Sequence, residues 1–570
     1  MPALPVETTL TRKCGAHPHH GCATAKFPYA VQQQTGMAAV RVHGNFAVVY
    51  HPSSCYLLLA TALLYATSDM TPLPPSDEFQ ARLQAAEELR AAGVDPYPPR
   101  AHPTHTAAEA RALLDTQEGD QVTVAGRIVG NVRAMGKLAF IHVQDGSGRI
   151  QLSIQQPVVG EEGWALFKRL HAGDFVEAAG ETFHTKRGEP SVRVARLTLL
   201  SKALRPLPEV WHGLKDTEKR YRQRYLDLIV NEDARRVLLL RSRLVSYIRR
   251  FMEGRGFVEV ETPVLQPLYG GAHARPFTTH YNALDEDLYL RIALELYLKR
   301  LTIGGIDRVY EIGKNFRNEG FSRFHNPEYT MLEAYQAYAD YTTMMELFEA
   351  LVEGAARELW GTTVIQVAGR EVDVKGPWPR LSLLDAIKQY SGIDVRQYPE
   401  QPDLYQVATE RGVALAPDTP WAKIVDELLG TFVEEHLIAP VHLVDYPVAL
   451  SPLAKRKPDD PELVERFESY IGGVELANAF TELNDPVDQR WRFEEQQRER
   501  ERGDAEAQSL DEDFLVAMEH GMPPTGGIGF GIDRLTMTLT DAPSIRDVVL
   551  FPQLRRGGAA EAEIQAEAEE

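Results

Sequence analysis

Cysteine is almost absent from this chain of 570 residues, which has only Cys14, Cys22 and Cys55. Because all three lie near the N-terminus, disulfides cannot cross-link the rest of the chain, which is typical of a protein of the reducing cytoplasm. The segment KCGAHPHHGC offers potential zinc ligands, but its spacing matches no standard structural zinc site. We therefore expect residues 1–69 to be a disordered or artefactual leader, with the true start at Met70.

Long hydrophobic runs are also missing. The apolar stretch CYLLLATALLYA, at 55–66, is shorter than the about 20 residues that span a bilayer, and it lies too deep for a signal peptide. We find no internal repeat, and only the glutamate- and alanine-rich tail, 557–570, is low in complexity, so we expect it to be disordered. The sequence predicts no membrane partner.

Positive charge is in deficit, since the formal net charge is −20. A chain of this kind does not coat nucleic acid indiscriminately, because phosphate binding depends on clustered Lys and Arg. Within residues 201–260, however, Lys and Arg outnumber Asp and Glu. A nucleic-acid partner would therefore meet a basic patch on an acidic body.

The remaining composition is that of a globular protein, with 44% hydrophobic and 25% charged residues. Ser76 can cap a helix, and residues 121–200 form short alternating segments with turns at DGSG, GD and KRGEP, which predict a small all-β barrel. Beyond a proline-bearing linker, strands such as FVEVETPVL alternate with helices. The predicted fold class is α+β, and its divisions are a leader (1–69), a helical segment (70–116), a barrel (117–204), a linker (205–225), a large domain (226–556) and an acidic tail (557–570).

The segment FRNEGFSRFHNPEYTML, at 316–332, is unusually rich in polar and aromatic side chains. We predict that Phe316–Glu319 ends a strand, that a loop follows, and that a second antiparallel strand contains Glu333 and Tyr335 on one side and Leu332 and Ala334 on the other. By itself such a hairpin is more often a solvated one with surface ion pairs. Two further segments favour a cavity instead.

Glycine alternates with bulky residues in GGIGFGIDRL, at 526–535. One face of this strand is therefore bare backbone, which either packs closely or admits a flat ligand. Arg534 falls in the first turn of the following helix, where a cation gains nothing from the helix dipole, so we expect it to face phosphate.

A third segment, YIGGVELANAFTELND, places Asn478, Phe480 and Glu482 on one face of a strand. Glu468 and Glu475 are nearby carboxylates of the type that binds Mg²⁺ together with nucleotide phosphates. Glu475 has the opposite strand parity from Asn478, so a shared site requires a bulge or a position at the start of the strand.

These segments carry a family resemblance. FVEVETP, FRNEGFSRFHNPEYTMLEAYQAYADY and GGIGFGIDRL resemble motifs one, two and three of class II aminoacyl-tRNA synthetases. More narrowly, RYRQRYLDLI, ARPFTTH, LYLRIALELYLKRL, YPVALSPLAKR and PSIRDVVLFPQ resemble lysyl-tRNA synthetases. The likeness runs from about Gln121 to Arg556, and it implies an OB-type barrel followed by a class II antiparallel-sheet catalytic domain with flanking helices.

The resemblance implies roles for individual residues. Arg317 and Arg534 would be catalytic and would bind the ATP phosphates, and Glu468 and Glu475 would hold Mg²⁺. The rest of the ATP site would comprise Glu319, His325, Asn326, Tyr329 and Gly531. The lysine site would comprise Gly271, Glu295, Arg317, Glu333, Tyr335, Asn478, Phe480, Glu482 and Gly529. The anticodon would be bound by Phe140, Gln151 and Glu189. Independently of the resemblance, the basic residues Arg127, Arg133, Lys137 and Arg149 lie nearby in sequence, and we expect them to contact phosphate.

Carboxylates in the pocket are independently consistent with lysine, because a buried ammonium must be paired. For Phe140 alone, a core position is the commoner role. The implied activity is ATP-dependent ligation of L-lysine to tRNA(Lys) through a lysyl-adenylate, by a cytoplasmic homodimer paired through motif one. This chemistry needs no protein nucleophile, in keeping with the lack of a Ser-His-Asp or Cys-His pattern.

The chain departs from the family pattern at two places: Leu294 replaces a proline, and Phe324 replaces the arginine before HNP, so Arg323 receives no role. Two alternatives stay open. One is an enzyme that attaches lysine to a protein, although paralogues of that type lack the barrel. The other is a tRNA-binding protein without catalysis, which the retained Arg317, Glu319, Arg534, Glu468 and Glu475 disfavour.

Overall fold

The computed structural model describes residues 76–208, 214–320, 322–501 and 510–555, together with the backbone of three short strands in the leader. The chain divides into two compact units between Pro206 and Leu207. In the leader, one sheet of three antiparallel strands is formed by β1 (Val31–Gln34), β2 (Met37–Val42) and β3 (Phe46–Tyr50). The composition of the leader did not predict these strands. The segment KCGAHPHHGC, Met70 and the tail 557–570 lie outside the described residues, so the assignments made for them stay predictions.

The first unit begins with the predicted helix, α1 (Asp77–Ala91), followed by α2 (Ala107–Leu113). The Ser76 side chain accepts a hydrogen bond from the Phe79 N–H, so Ser76 is the N-cap as expected. Arg82 is buried, pairs with Glu78 and donates to two carbonyl groups of the barrel region, which fixes α1 against it.

The predicted barrel is present. Its elements are β4 (Gln121–Val129), β5 (Ala134–Met135), β6 (Leu138–Gln144), β7 (Arg149–Gln155), α3 (Gln156–Phe167), β8 (Phe175–His184) and β9 (Pro190–Ser201). The strands follow the order β4-β8-β9-β7-β6, and pairing of β6 with β4 closes the barrel. Apolar side chains that point into the barrel alternate along each strand with side chains that point outward. Val124, Ile141 and Val192 are among the buried residues of the core.

The helices of the second unit are α4 (Thr217–Arg222), α5 (Arg224–Val230), α6 (Glu232–Glu253), α7 (Glu295–Ile303), α8 (Tyr341–Trp360), α9 (Leu383–Ser391), α10 (Gln401–Glu410), α11 (Trp421–Phe432), α12 (Pro486–Glu501), α13 (Glu512–Glu519), α14 (Ile532–Thr540) and α15 (Ile545–Val548). None of the helices in the described part of the chain is long and apolar enough to cross a membrane.

The second unit is built on a sheet of eight strands. The strands of the unit are β10 (Val258–Glu259), β11 (Leu265–Gln266), β12 (Thr278–Tyr281), β13 (Glu286–Leu290), β14 (Arg308–Phe316), β15 (Glu328–Ala337), β16 (Val364–Val367), β17 (Arg370–Asp373), β18 (Arg380–Ser382), β19 (Val441–Pro447), β20 (Leu463–Ile471), β21 (Val474–Thr481) and β22 (Thr525–Gly531). The large sheet has the order β10-β14-β15-β22-β21-β20-β19-β18 and is antiparallel except at its two ends. Smaller sheets join β11-β13-β12 and β16-β17.

One face of the large sheet is covered by α6 and α8. Leu332 and Ala334 of β15, Ile528 and Phe530 of β22, and Phe348 of α8 belong to a single buried cluster there. Because side chains alternate along a strand, Glu333, Tyr335 and the glycines of β22 lie on the opposite face. The large sheet therefore has one packed face and one face that carries polar groups.

Two predictions about strands were wrong. FVEVETPVL is not one strand, since only Val258–Glu259 joins the large sheet and Leu265–Gln266 pairs in another. The strand β14 ends at Phe316 instead of at Glu319, because the next residues leave the ladder and the Asn318 N–H donates to the carbonyl of Arg275.

Candidate active site

The glycine strand β22 lies between the two strands that carry the predicted lysine-site residues. Gly529 is paired with Glu333 on one side and with Asn478 on the other, and Gly527 is paired in the same way with Tyr335 and Phe480. The antiparallel register therefore places these side chains in two rows, with bare backbone in the middle of each row. The alternating glycines leave room for groups that the neighbouring strands project.

The space beside the glycines of β22 is small, and side chains of the neighbouring strands border it. A Cβ atom added to Gly527 would lie 2.6 Å from Tyr335 Cε1 and would overlap Glu482 Oε1. One added to Gly529 would lie 2.6 Å from Met331 Cε and 3.3 Å from Glu333 Cγ. The glycine face therefore lies directly against the carboxylates of the site. Glycine is necessary at 527, where the added atom would meet the Tyr335 ring, whereas at 529 the flexible end of Met331 could move aside.

Three carboxylates are buried together, and we call them the carboxylate pocket: Glu295, Glu333 and Glu482. Glu295 begins α7, Glu333 lies in β15 and is 4% exposed, and Glu482 follows β21 and is 1% exposed. Burial raises the pKa of each above its ordinary value, and for Glu333, which also senses the Glu295 charge, the pKa rises to about 7. Anionic groups in a closed space of this kind are suited to receive ammonium groups.

Hydrogen bonds hold the pocket in place. Glu333 accepts from the Leu294 N–H at 3.1 Å through Oε1 and from the Tyr335 hydroxyl at 3.2 Å through Oε2. Glu482 Oε1 is buried without a hydrogen-bond partner. Gly271, predicted beside Glu295, does lie there: its φ of +85° is a glycine conformation, and a Cβ atom would meet Glu295 Cβ at 3.1 Å.

Two cations that sequence reasoning missed complete this region. Lys299 Nζ lies 2.5 Å from Glu295 Oε1 and also pairs with Glu482. Arg466, in β20, donates to Asn478 Oδ1 at 3.1 Å and to Glu468 Oε1 at 2.6 Å. The i,i+4 spacing of Glu295 and Lys299 on a helix was a signal that could have revealed the first of these. The bond from Arg466 leaves the Asn478 amide NH₂ as the donor toward the site.

The predicted nucleotide residues lie at the open end of the hairpin. The Arg317 guanidinium stacks over the Tyr329 ring at 5.3 Å, and both Arg317 Nε and the Tyr329 hydroxyl are buried without hydrogen-bond partners. Arg534, in the first turn of α14 as predicted, lies 3.1 Å from His325 Nε2. Burial, together with the Arg534 charge, lowers the pKa of His325, so that ring is neutral at pH 7. An arginine pair beside a neutral imidazole is suited to polyphosphate.

Three other residues, Glu319, Asn326 and Gly531, were predicted for the nucleotide site. Asn326 is buried and its amide donates to the Glu328 carbonyl. Glu319 is exposed in the loop beyond β14. A Cβ atom at Gly531 would make only ordinary contacts with Arg534, at 3.8 Å, so crowding does not require glycine there. The ATP roles of these residues stay predictions.

Of the two ways in which Glu475 could join Glu468, a bulge or a position at the start of the strand, the structure has the bulge. Ser469 is paired with Ala477 but Tyr470 is paired with Glu475, so Leu476 is an extra residue in β21. Because Tyr470 and Glu468 share a face, the bulge brings Glu475 to the side of Glu468. Burial, and then the charge of Glu475, raise the pKa of Glu468, although Arg466 opposes the rise.

These two carboxylates fit a magnesium ion only in part. Among the residues that the structure describes, no three His, Cys, Asp or Glu side chains form a metal-binding group. Mg²⁺ is commonly held by one or two carboxylates together with substrate phosphates and waters. Glu475 also accepts from Arg534 at 2.9 Å, which places a guanidinium group beside it. The residues present therefore fit a cation that arrives with a nucleotide.

The predicted anticodon residues lie together on the barrel. Phe140 is half-buried on the outer face of β6, between the fully buried Ala139 and Ile141, so the interpretation of Phe140 as a core residue is wrong. Gln151, on β7, accepts from Ser191, and Glu189 lies just before β9, exposed and 3.9 Å from His142. Among the basic residues, Arg127 stacks on Phe175 and donates to a carbonyl group.

Comparisons with known proteins agree with this geometry. A family profile described as "tRNA synthetases class II (D, K and N)" matches residues 216–555, and one described as "OB-fold nucleic acid binding domain" matches residues 122–200. The chain is 54% identical over 480 residues to a lysine--tRNA ligase of Moorella thermoacetica, covering 84% of this chain and 98% of that protein. It is 55% identical over 479 residues to a lysine--tRNA ligase of Roseiflexus castenholzii, with the same two shares covered.

Proposed function

Because the chain belongs to the class II tRNA synthetase family of the D, K and N type, we propose that it ligates L-lysine to tRNA(Lys) with ATP, through a lysyl-adenylate. The observation that carries this specificity is the carboxylate pocket, in which Glu295, Glu333 and Glu482 are buried beside the bare strand β22. Burying carboxylates without partners costs free energy. Lysine has two ammonium groups, which would pair with these buried carboxylates. The reaction supplies the translation machinery in the cytoplasm.

Each charged group of the lysine substrate is bound by its own set of residues. Glu333 and Glu482, with Tyr335, receive the side-chain ammonium, while Glu295 and the backbone at Gly271 receive the α-ammonium. The lysine carboxylate lies between the Asn478 amide and Arg317. This arrangement points the carboxylate toward the arginines of the nucleotide site, where the α-phosphorus of ATP must lie for in-line attack.

The first step forms a bond between a lysine carboxylate oxygen and the α-phosphorus of ATP, and the bond to pyrophosphate breaks. Arg317 and Arg534 stabilise the charge that grows on the phosphate oxygens, and alignment of the reactants supplies the remaining acceleration. Glu468 and Glu475 would hold Mg²⁺, and the ion would supply neutralisation of phosphate charge when the nucleotide is bound. In the second step the terminal ribose hydroxyl of tRNA takes the lysyl group and AMP leaves.

The barrel serves as the anticodon-binding domain of this enzyme. Single-stranded bases stack on accessible aromatic side chains for about 1–3 kcal/mol each. Phe140 is half-buried on the outer barrel face, diagonal to Gln151 of the neighbouring strand. We propose that these two residues and Glu189 bind the middle anticodon base.

We further propose that the enzyme is a homodimer paired through the segment 258–284. Large apolar side chains are exposed along it in the single chain, namely Val258, Val264, Leu265, Leu268, Tyr281 and Leu284. Clustered exposed apolar residues of this kind mark protein interfaces.

The test is lysine-dependent exchange of labelled pyrophosphate into ATP, followed by charging of purified tRNA(Lys). We expect both activities. Exchange without charging would support lysine activation for another acceptor, and no exchange would support a binding protein without catalysis. Glu482→Gln should raise the KM for lysine in the exchange reaction far more than the KM for ATP. Equal changes in both would remove Glu482 from the side-chain site.

A further inference from the structure

Lys299 is a fully buried cation at the base of the carboxylate pocket. It lies one helical turn after Glu295 in α7, and its side chain is 0% exposed. Its Nζ is 2.5 Å from Glu295 Oε1, pairs with Glu482 Oε2, and lies 5.4 Å from the centre of the Phe480 ring. A single ammonium group therefore bridges two of the three pocket carboxylates.

The charges around this group can be counted. The carboxylate pocket has three acidic groups and Lys299 is one cation, so the fully ionised pocket has two uncompensated negative charges. The next cation, Arg466, is already matched by Glu468 at 2.6 Å. Within the part of the chain that the structure describes, the other charged or titratable groups that act on the pocket are Arg317, Tyr329 and Tyr335. Arg317 and Tyr329 lie toward the nucleotide end, and the Tyr335 hydroxyl donates a hydrogen bond to Glu333.

We propose that Lys299 is a positioning residue that sets the charge of the lysine site, so that two added ammonium groups leave no buried carboxylate unpaired. The inference rests on the proposed lysine activation and deepens it. Free lysine has just two ammonium groups, one at each end of the site. Lys299 thus matches the pocket to a diammonium substrate without contacting the substrate itself.

Lys299 acts through the ionisation of its two partners. Burial raises the pKa of Glu295 and of Glu482, and Lys299 opposes the rise in both. Burial alone would lower the pKa of Lys299, but the two carboxylates raise it, so Lys299 stays charged. Without Lys299, three like charges would share a closed space, and one carboxylate would keep a proton. A protonated carboxyl group does not pair with an ammonium group.

A purely structural role would be to tie α7 to the end of β21. Loss of such a tie would lower stability and activity at every pH. Loss of the charge role would instead change the pH range in which lysine binds, because the extra proton must leave before the pocket is fully ionised. The pH profile of the KM for lysine therefore separates the two roles.

The experiment uses Lys299→Met, which keeps the length of the side chain and removes its charge. In the pyrophosphate exchange assay, the KM for lysine at pH 7 should rise at least about tenfold, and the pH above which this KM becomes constant should move upward by about one unit. The KM for ATP should change little. The matched control is Lys202→Met, which removes another fully buried lysine, paired with Asp174 in the first unit, and should leave the KM for lysine unchanged.

A second variant covers the case in which Lys299→Met does not fold. Lys299→Met with Glu482→Gln removes a buried pair together and again leaves two negative charges, so the double variant should bind lysine no worse than Glu482→Gln alone. Additive losses in the double variant, or an unmoved pH profile in a folded Lys299→Met, would overturn the inference. Wild-type protein without lysine-dependent exchange would instead overturn the proposed function and the inference with it.

Discussion

Replacement of Gly527 by alanine tests the lysine site with a single methyl group. The new Cβ would lie 2.6 Å from Tyr335 Cε1 and 2.9 Å from Tyr335 Cδ1, and it would overlap Glu482 Oε1. Separations under 3.0 Å do not occur for real Cβ atoms, so Tyr335 and Glu482 must move. Both belong to the proposed side-chain end of the lysine site, and neither belongs to the nucleotide end.

The size of the effect follows from the cost of overpacking. Forcing an extra methyl group into a well-packed site costs about 1–3 kcal/mol. If the pocket releases this strain by displacing Glu482 from its position for the ammonium, the same energy is lost from lysine binding. Since about 1.4 kcal/mol corresponds to a factor of ten, the KM for lysine should rise about tenfold to a hundredfold. The KM for ATP should change by less than about threefold.

The assay is pyrophosphate exchange with lysine and ATP varied separately, accompanied by thermal unfolding. Two neighbouring glycines serve as controls. Gly531→Ala places its Cβ 3.8 Å from Arg534 Cβ, at a backbone φ of −78°, and should leave the KM for lysine unchanged. Gly526→Ala would meet the backbone oxygen of Asp340 at 2.8 Å and should lower the unfolding temperature instead. A folded Gly527→Ala enzyme with an unchanged KM for lysine, or with equal increases for lysine and ATP, would refute the location of the site.

Further predictions concern pH, tRNA, assembly and metal. Because the pKa of Glu333 is raised to about 7, the KM for lysine should rise about tenfold per pH unit below pH 7, and Glu333→Gln should abolish this dependence; a flat wild-type profile would contradict it. The proton on Glu333 also stabilises the folded protein without lysine at acidic pH, and this stabilisation is lost as the pH rises through about 7. Thermal unfolding of the wild type and of Glu333→Gln at several pH values would detect the difference. Phe140→Ala should slow tRNA charging at least about tenfold without affecting exchange, and an equal loss of exchange would show that Phe140 serves the fold. Leu265→Glu should yield monomers in sedimentation velocity, and a dimer that persists would remove residues 258–284 as the interface. Glu475→Gln should raise the Mg²⁺ concentration needed for exchange, whereas an unchanged requirement would exclude Glu475 as a ligand.

Local periodicity predicted the centre of the site well. Glu333 and Tyr335 do share one face of β15 and Leu332 and Ala334 the other, because a strand between two neighbours keeps a strict period of two. Parity also indicated that Glu475 could join Glu468 only through a bulge or from a position at the start of the strand, and the structure has the bulge. These features depend on residues a few positions apart.

Features that depend on distant parts of the chain escaped prediction. Strand β14 ends where the Asn318 N–H finds the carbonyl of Arg275, and no property of FRNE itself indicates that partner. The orientation of Phe140 depends on which face of β6 turns to the barrel core, which a single residue cannot reveal. Arg466 joins Glu468 and Asn478 across two strands, so its place became visible only with the strand register.

The bulge at Leu476 makes strand length a determinant of chemistry. If β21 alternated regularly through Leu476, Leu476 would pair with Tyr470 and Glu475 would turn to the face away from Glu468, although every side chain in the hairpin would be retained. A further residue inserted next to the bulge would turn Asn478 and Phe480 to the opposite face of the strand. Chimaeras between relatives should therefore exchange β20 and β21 as one uninterrupted piece. Alignments that place a gap inside this hairpin would assign the proposed metal ligand to the wrong residue.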